Sequence, residues 1–329
     1  MYWIEFFISA ALIIAAGIHL TKYADRLSDA LNLGKLWIGI VLLGFVTSLP
    51  EAITCVASIV KLEANDLAAG NLLGSNNFNL LLLVLMDMFY RQGSVTNKIS
   101  SRQSHRVSGL LSVLLMAIVV GEIAFADVFS SFRVAHISYA MILICLVYFW
   151  GMSLLAKLEK DHHESVDPSG KVYPLITIWF HLILSASVVI VSAMWLARSA
   201  DIIAVETGLG RSFVGTILLA LVTSLPEMVV TLSALRMGAF DLSLGNIFGS
   251  NMTNMFIMFI CACVYTKGPF LRDINPTHLI TPLIGILMTF IALEGIARKE
   301  KRVYGVLGLD TIFLLLLFVG GTAIFYVIR

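Results

Sequence analysis

The sequence predicts an all-α membrane protein with about ten transmembrane helices arranged as two inverted five-helix repeats. Three observations lead to this prediction: the composition, the length of the apolar segments and an internal repeat of polar motifs. Of 329 residues, 59% are hydrophobic and 13% are charged, whereas a soluble globular chain has roughly 25% charged residues. Most of the surface is therefore expected to face membrane lipid. The net charge of +1 argues against a nucleic-acid partner, and the sequence indicates no protein partner.

The apolar segments have the length of membrane-spanning helices. A spanning helix needs about 20 mainly apolar residues, whereas a strand of a membrane barrel has about 10 residues of alternating polarity. The length of the segments therefore favours helices. The ten predicted spans cover approximately residues 3–21, 36–61, 66–90, 107–126, 134–156, 174–197, 212–235, 241–265, 277–297 and 303–327.

A hydrophilic segment divides the chain almost in half. Residues 157–171 are charged and include Pro168 and Gly170, which predicts a linker at 157–172 between a first repeat at 1–156 and a second repeat at 173–329. With the N-terminus outside, 15 of the 22 Lys and Arg residues fall in inside loops and seven fall outside. The positive-inside rule therefore predicts a protein of the cell membrane with both termini outside and a cytoplasmic linker.

The internal repeat consists of two polar motifs, each present twice. The sequence Val-Thr-Ser-Leu-Pro-Glu occurs at Val46–Glu51 and again 176 residues later at Val222–Glu227. The pattern Gly-Asn-x-x-Gly-Ser-Asn-x-x-Asn occurs at Gly70–Asn79 and 175 residues later at Gly245–Asn254. Because each half has an odd number of spans, the two copies cross the membrane in opposite directions. Secondary transporters often have this architecture and bind substrate near the midplane at the repeat interface.

The first motif places a carboxylate inside an apolar span in each half. An acidic residue at the centre of a membrane helix costs about 2.5–3.5 kcal/mol, and no Lys or Arg lies within the neighbouring spans. A bound cation is therefore the simplest partner for Glu51 and Glu227. Proline has no backbone N–H, so Pro50 cannot donate to the carbonyl of Val46 four residues earlier. We expect that carbonyl, and the equivalent carbonyl of the second half, to be available to a metal ion.

The second motif supplies neutral oxygen atoms. Ser75 and Asn79 are four residues apart and lie on one helical face, as do Ser250 and Asn254. Such residues also serve as hydrogen-bonding contacts between membrane helices, and the sequence leaves this reading open for each of them. Two carboxylates with about six neutral oxygens suit a hard cation such as Ca²⁺, which takes 6–8 oxygen ligands, better than Zn²⁺ or copper. The paired glycines predict close helix approach.

Together these motifs resemble the cation/calcium antiporter superfamily, and specifically its sodium/calcium exchanger branch in the prokaryotic form that has no regulatory domain. The resemblance implies exchange of Na⁺ for Ca²⁺ by alternating access at a two-glutamate site near the midplane, with no enzymatic reaction and no cofactor. With Asn79 and Asn254 from the second motif included, the expected ion-binding residues are Glu51, Glu227, Thr47, Thr223, Ser48, Ser224, Ser75, Ser250, Asn79, Asn254 and the carbonyls near Gly44 and Ala220.

The chain departs from the usual pattern of that branch at three positions. Val46 and Val222 stand where the branch usually has Gly, and Asn254 stands where many exchangers carry Asp. These departures leave open an antiporter that couples Ca²⁺ to H⁺ or that transports Mg²⁺ or Mn²⁺. A cation channel is a further alternative, which the inverted repeat disfavours, and no catalytic motif indicates a membrane-embedded enzyme.

Three further interpretations concern residues outside the two motifs. The four cysteines are expected to be small buried hydrophobic residues rather than a disulfide or metal site. Cys55 corresponds to Thr231 in the repeat and receives no role. Asp66 and Asp241 open the helices of the second motif and are expected to be N-caps of those helices.

Overall fold

The computed structural model describes residues 2–129, 131–160, 173–207, 222–298, 303–304 and 306–328, and helices dominate these residues. The helices are α1 Tyr2–Leu31, α2 Lys35–Ile38, α3 Gly44–Thr47, α4 Leu49–Leu62, α5 Asn65–Tyr90, α6 Arg102–Ala124, α7 Ala126–Phe129, α8 Tyr139–Lys160, α9 Leu175–Glu206, α10 Leu225–Arg236, α11 Phe240–Val264, α12 Ile280–Arg298 and α13 Leu309–Ile328. A π-helical segment, Gly39–Leu43, joins α2 to α3. The 3-10 turns are Val95–Asn97, Phe270–Asp273 and Pro276–Leu279.

The prediction of an all-α multi-pass membrane protein is confirmed. Within the described residues, eight helices are long and apolar enough to cross a membrane, and a shorter apolar helix covers Leu309–Phe325. The remaining predicted span, 212–235, lies partly outside the described residues, and α10 forms its second part. The predicted linker lies mostly outside them as well, so the boundaries of the two repeats stay a prediction.

The two helices of the second motif form the centre of the molecule. In α5 and α11, 72% of the most apolar 18-residue stretch of the helix is buried inside the protein, compared with 28% in α1 and α9. The peripheral helices α1 and α9 pack along each other and expose large apolar side chains such as Phe7, Ile176 and Phe180. This arrangement suits a lipid surround, because apolar side chains need no burial in protein where they face lipid tails.

Two short β-hairpins correct the start of two predicted spans. Strands β1 (Arg133–Val134) and β2 (Ile137–Ser138) pair antiparallel immediately before α8. Strands β3 (Val303–Tyr304) and β4 (Leu307–Gly308) pair in the same way before α13. The predicted spans 134–156 and 303–327 therefore began too early. Hydrophobicity alone cannot separate a short apolar strand from the first turn of a helix.

Gly245 and Gly249 bring the segment 35–47 against α11, as the sequence predicted for this pair, whereas Gly70 and Gly74 meet no backbone atom among the described residues. A Cβ atom built on Gly249 would lie 2.5 Å from Cα and 2.6 Å from the carbonyl oxygen of Ile40. A Cβ atom on Gly44 would lie 2.7 Å from the carbonyl carbon of Gly249 and from the nitrogen of Ser250. Only glycine permits these backbones to approach so closely, and this approach carries the Thr47 turn to the centre of α11.

Candidate functional site

Each Glu-bearing helix begins at a break in the chain. Helices α3 and α4 are separated by Ser48, and Ser224 precedes α10 in the same way. Each proline lies in the first two positions of the following helix, where its missing N–H disturbs no intrahelical bond. The Val46 carbonyl accepts a hydrogen bond from the Ser48 N–H, so the turn at Ser48 supplies a donor that Pro50 cannot. A carbonyl oxygen has two lone pairs, so the availability of this carbonyl to an ion stays a prediction.

The two glutamates are completely enclosed, and no cationic side chain among the described residues compensates their charge. Glu51 is 0% and Glu227 is 1% exposed, and neither joins an ion pair in the part of the chain that the structure describes. Both Oε atoms of Glu51 and Oε2 of Glu227 have no hydrogen-bond partner within the described ranges, whereas Ser48 Oγ lies 3.5 Å from Glu227 Oε1. The two carboxylates are near enough to repel one another electrostatically. Isolated buried carboxylates are very unfavourable, so this pair requires a cation or a proton.

The threonine of each copy of the first motif contacts an asparagine of the opposite half. Thr47 Oγ1 lies 3.4 Å from Asn246 Oδ1, and Thr223 Oγ1 lies 3.4 Å from Asn71 Oδ1. The Thr47 hydroxyl also donates to the carbonyl of Leu43 at 2.9 Å. These contacts join the two halves at matching positions, so the halves complete one another around a single centre.

The predicted serines lie at the same centre. Ser224 Oγ lies 3.3 Å from Ser75 Oγ, and Ser250 Oγ lies 3.3 Å from Thr47 Oγ1. Ser250 Oγ also lies 3.4 Å from the carbonyl oxygen of Gly44, which places that carbonyl beside the site. The four hydroxyl groups thus form two pairs, of which the Thr47–Ser250 pair lies beside the Gly44 carbonyl. The remaining predicted carbonyl, at Ala220, lies outside the described residues.

Four asparagines form a reciprocal set of hydrogen bonds between α5 and α11. Asn254 Nδ2 donates to Asn76 Oδ1 at 3.0 Å, and Asn79 Nδ2 donates to Asn251 Oδ1 at 3.0 Å. Asn76 Nδ2 lies 3.4 Å from the Asn251 carbonyl, and Asn251 Nδ2 lies 3.3 Å from the Asn76 carbonyl. The Oδ1 atoms of Asn79 and Asn254 are buried and have no hydrogen-bond partner among the described residues. These two amide oxygens are therefore available as ligands.

The chemistry of the centre is that of oxygen ligands alone. Within the described ranges, no group of three or more His, Cys, Asp and Glu side chains could hold a metal ion, and the four cysteines are free. Two carboxylates can therefore bind a cation here only with help from neutral hydroxyl, amide and carbonyl oxygens. Such a donor set suits Na⁺ and Ca²⁺ and is poorly suited to soft transition metals.

The N-cap interpretation of Asp66 and Asp241 was wrong. Neither carboxylate caps its own helix; each binds the opposite half instead. Asp241 accepts from His105 Nε2 at 2.9 Å and from the backbone N–H groups that precede α6. Asp66 accepts from the backbone N–H of Asn275 at 2.6 Å and lies 3.2 Å from His278 Nε2. The unpaired N–H groups at the start of a neighbouring helix attract these anions.

Sequence reasoning missed four asparagines and one cysteine at the centre. Asn71, Asn76, Asn246 and Asn251 all belong to the repeated second motif, and their exact repetition was the available signal. Cys55, which received no role, is the acceptor for Asn71 Nδ2 at 3.4 Å. Its counterpart Thr231 accepts from Asn246 Nδ2 at 3.0 Å. Matched positions can thus share a role even where the residue type differs.

An all-helical bundle with two interrupted helices and a buried, oxygen-lined pair of carboxylates defines a membrane transporter of cations. The family model described as "Sodium/calcium exchanger protein" matches residues 1–157 and 177–327. The chain therefore belongs to the sodium/calcium exchanger protein family, whose members are transporters.

Curated relatives and solved structures agree with this family. The chain is 25% identical over 301 residues to the inner membrane protein YrbG of Escherichia coli (strain K12), covering 84% of this chain and 88% of the relative. It is 26% identical over 250 residues to the putative antiporter CaxA of Alkalimonas amylolytica, covering 74% and 75% of the two chains. The sodium/calcium exchanger MaX1 of Methanosarcina acetivorans is 40% identical over 79 residues, covering 24% and 23%.

Among solved structures, the fold is similar to that of the sodium-calcium exchanger NCX_Mj. The TM-score is 0.72 and the alignment covers 98% of both chains. The sequence identity is 17%, so this likeness establishes the fold. It supports the all-helical architecture over nearly the whole length of the chain.

Proposed function

We propose that this protein exchanges Na⁺ for Ca²⁺ by alternating access, at a site centred on Glu51 and Glu227. The observation that carries the proposal is the pair of enclosed carboxylates, which lack a compensating cation among the described residues and which neutral oxygens surround. The printed names of CaxA, MaX1 and NCX_Mj describe antiport or sodium/calcium exchange, which supports the same substrate class here.

The proposed ligand set follows the contacts around the two carboxylates. Glu51 and Glu227 supply the negative charge, and hydroxyl, amide and carbonyl oxygens complete the coordination. The neutral ligands that we propose are Thr47, Thr223, Ser48, Ser224, Ser75, Ser250, Asn79, Asn254 and the carbonyls near Gly44 and Ala220. The Asn79 and Asn254 oxygens are supported by their burial without a hydrogen-bond partner.

Obligatory exchange follows from the electrostatics of this pair. An occupied site is neutralised by its cations, so it can pass the apolar barrier between the two access states. An empty site retains two buried carboxylates that repel each other, and burying such charges without a partner is strongly unfavourable. The empty transporter therefore resists the switch between inward-facing and outward-facing states. Na⁺ and Ca²⁺ compete for the same carboxylates.

A vesicle assay separates this counter-ion from its rivals. Purified protein in proteoliposomes is given a Na⁺, H⁺ or K⁺ gradient in turn, and ⁴⁵Ca²⁺ uptake is measured. We expect uptake with the Na⁺ gradient and none with the variant in which Glu51 and Glu227 are both Gln. Uptake driven by the H⁺ gradient alone would indicate that protons, and not Na⁺, are the counter-ion at the same carboxylates. Competition by Mg²⁺ or Mn²⁺ tests the divalent-ion alternatives, and Ca²⁺ flux without any counter-ion would indicate a channel.

The orientation proposed for the cell membrane places both termini outside and the linker at 157–172 in the cytoplasm. The excess of Lys and Arg in the corresponding loops supports this orientation. The test uses a variant whose native cysteines are replaced and in which Ser169→Cys adds one thiol in the linker. An impermeant maleimide should label that thiol only after the cells are opened. Labelling of intact cells would reverse the proposed orientation.

A further inference from the structure

The four asparagines between α5 and α11 form a directional chain of hydrogen bonds that begins at two backbone carbonyls. A carbonyl can only accept, so the side-chain atom that faces it must be an amide nitrogen. Asn76 Nδ2 therefore faces the Asn251 carbonyl at 3.4 Å, and Asn251 Nδ2 faces the Asn76 carbonyl at 3.3 Å. Because each amide has one nitrogen and one oxygen, the Oδ1 atoms of Asn76 and Asn251 must point the other way.

That orientation determines how the next pair of amides can lie. Asn76 Oδ1 is an acceptor, so Asn254 must turn its Nδ2 towards it, at 3.0 Å. Asn251 Oδ1 imposes the same choice on Asn79, also at 3.0 Å. The Oδ1 atoms of Asn79 and Asn254 are left buried, without a hydrogen-bond partner in the part of the chain that the structure describes. If either amide were flipped, two oxygens would face each other and an amide N–H₂ would replace the free oxygen.

We infer that Asn76 and Asn251 are positioning residues of the ion site, which hold the Asn254 and Asn79 oxygens towards the cation; this inference rests on the proposed function. Asn76 acts on the opposite half through Asn254, and Asn251 acts through Asn79. All four side chains are almost fully buried, with exposed fractions of 1% or less. Water therefore cannot replace a missing acceptor, and the orientation depends on these two residues.

The same chain of bonds constrains the residue type at position 254 in this chain. An ionised aspartate there would turn a carboxylate oxygen towards Asn76 Oδ1, so two acceptors would face each other. Asn76 could not flip to relieve this contact, because its own oxygen would then face the Asn251 carbonyl. In this packing a hydrogen-bond donor is therefore favoured at position 254, and the amide of Asn254 supplies it.

The test is a double-mutant cycle on Ca²⁺ binding, measured by calorimetry on the full-length protein in detergent. Leucine has the same branched arrangement of side-chain heavy atoms as asparagine but offers neither an acceptor nor a donor. We expect Asn76→Leu to weaken Ca²⁺ binding about tenfold, as loss of a residue that orients a metal ligand typically does. In the Asn254→Leu background the same change should have almost no further effect, because its target oxygen is already gone. In the Asn79→Leu background it should retain its full tenfold effect.

The corresponding residue of the second repeat supplies a matched control. Asn251→Leu should show the opposite pattern, with no further effect in the Asn79→Leu background and a full effect in the Asn254→Leu background. Equal effects of Asn76→Leu in both backgrounds would overturn the inference, because a general packing role does not distinguish Asn254 from Asn79. Should Asn76→Leu not yield folded protein by gel filtration, Asn76→Ser replaces it, since serine is too short to reach Asn254.

Failure of the inference is distinguishable from failure of the proposed function. The cycle measures binding and needs no transport, whereas the vesicle assay measures transport alone. A protein that binds Ca²⁺ with the predicted coupling supports the inference even if protons rather than Na⁺ drive its exchange. Ca²⁺ binding that is unaffected by Asn254→Leu and Asn79→Leu would overturn the inference, since neither amide oxygen would then contact the ion.

Discussion

In the second half of the chain, Asn246 Nδ2 donates to a hydroxyl, Thr231 Oγ1, at 3.0 Å. In the first half, the matching Asn71 Nδ2 donates to a thiol sulfur, Cys55 Sγ, at 3.4 Å. Sulfur is the weaker acceptor, so the first-half amide is held less firmly. The hydrogen bonds between α5 and α11, by contrast, are closely matched in the two halves, at 3.4 and 3.3 Å for the first pair of bonds and 3.0 Å for both bonds of the second. The comparison teaches that the halves share the proposed ion ligands and differ in how the neighbouring residues support them.

A second difference concerns the anchors of the two central helices. Asp241 accepts from His105 and two backbone N–H groups, and its side chain is 15% exposed. Asp66, the matching residue, is 57% exposed and accepts from the Asn275 N–H. Helix α11 is therefore anchored in a drier and more extensively bonded setting than α5.

The largest expected effect tests whether the two carboxylates are equivalent. Glu51→Gln and Glu227→Gln should each reduce Na⁺-driven ⁴⁵Ca²⁺ uptake by about 100-fold or more, because removing one charge of a buried ionic group costs about 3–5 kcal/mol. Glu294→Gln is the matched control, since Glu294 is half-exposed and pairs with Arg298; its uptake should stay near wild type. Retained exchange in either the Glu51→Gln or the Glu227→Gln variant would show that one carboxylate is sufficient for transport.

The next effect tests the close contact of α11 with the segment 35–47. Gly249→Ala should lower both the melting temperature and the exchange rate, since its Cβ would overlap the Ile40 backbone and overpacking costs about 1–3 kcal/mol. The control is Gly320→Ala, where no described atom lies within 4 Å of an added Cβ. Thermal unfolding in detergent measures both. An unchanged melting temperature for Gly249→Ala would show that the two segments can separate.

The difference between the two anchors predicts unequal stability losses. Asp241→Asn should lower the free energy of unfolding by about 1–3 kcal/mol, because it weakens a buried acceptor that serves several donors. Asp66→Asn should lower it by a smaller amount, because its carboxylate is largely exposed and water can replace the lost bonds. Urea or thermal unfolding of both variants in one detergent provides the comparison. Equal losses would refute the proposed difference between the helices.

The smallest expected effect sharpens the Cys55–Thr231 comparison. Cys55→Thr should strengthen Ca²⁺ binding by about two- to fivefold, since a better acceptor for Asn71 contributes about 0.5–1 kcal/mol. Thr231→Cys should weaken binding by a similar factor. Calorimetric titration of both variants and of the double swap measures the change. If both single variants shift the affinity in the same direction, the acceptor at this position does not control the site.

Several features could be read from the sequence because they depend on local chemistry. Apolar length predicted the helices, and Pro50 indicated a disturbed turn near Val46, where Ser48 separates α3 from α4. The hydrogen bond that the Val46 carbonyl accepts from the Ser48 N–H could not be predicted, because it forms within a tight turn. The hairpins before α8 and α13 were also missed, since each of their strands is only two residues long. In each case a backbone hydrogen bond within a turn determines the local structure. The amino-acid composition does not specify the geometry of such a turn.

The sequence by itself determined the membrane-embedded helical class, the doubled motifs and the residue types of the candidate site. Repetition at a constant offset survives in the chain and can be counted. Only the tertiary structure decided which half each side chain serves: Asp66 and Asp241 bind the opposite half, and Asn76 meets Asn254 rather than a neighbour on its own helix. The physical reason is that hydrogen bonds across an inverted repeat join residues more than 130 positions apart, and their donors and acceptors are assigned only when the two helices pack.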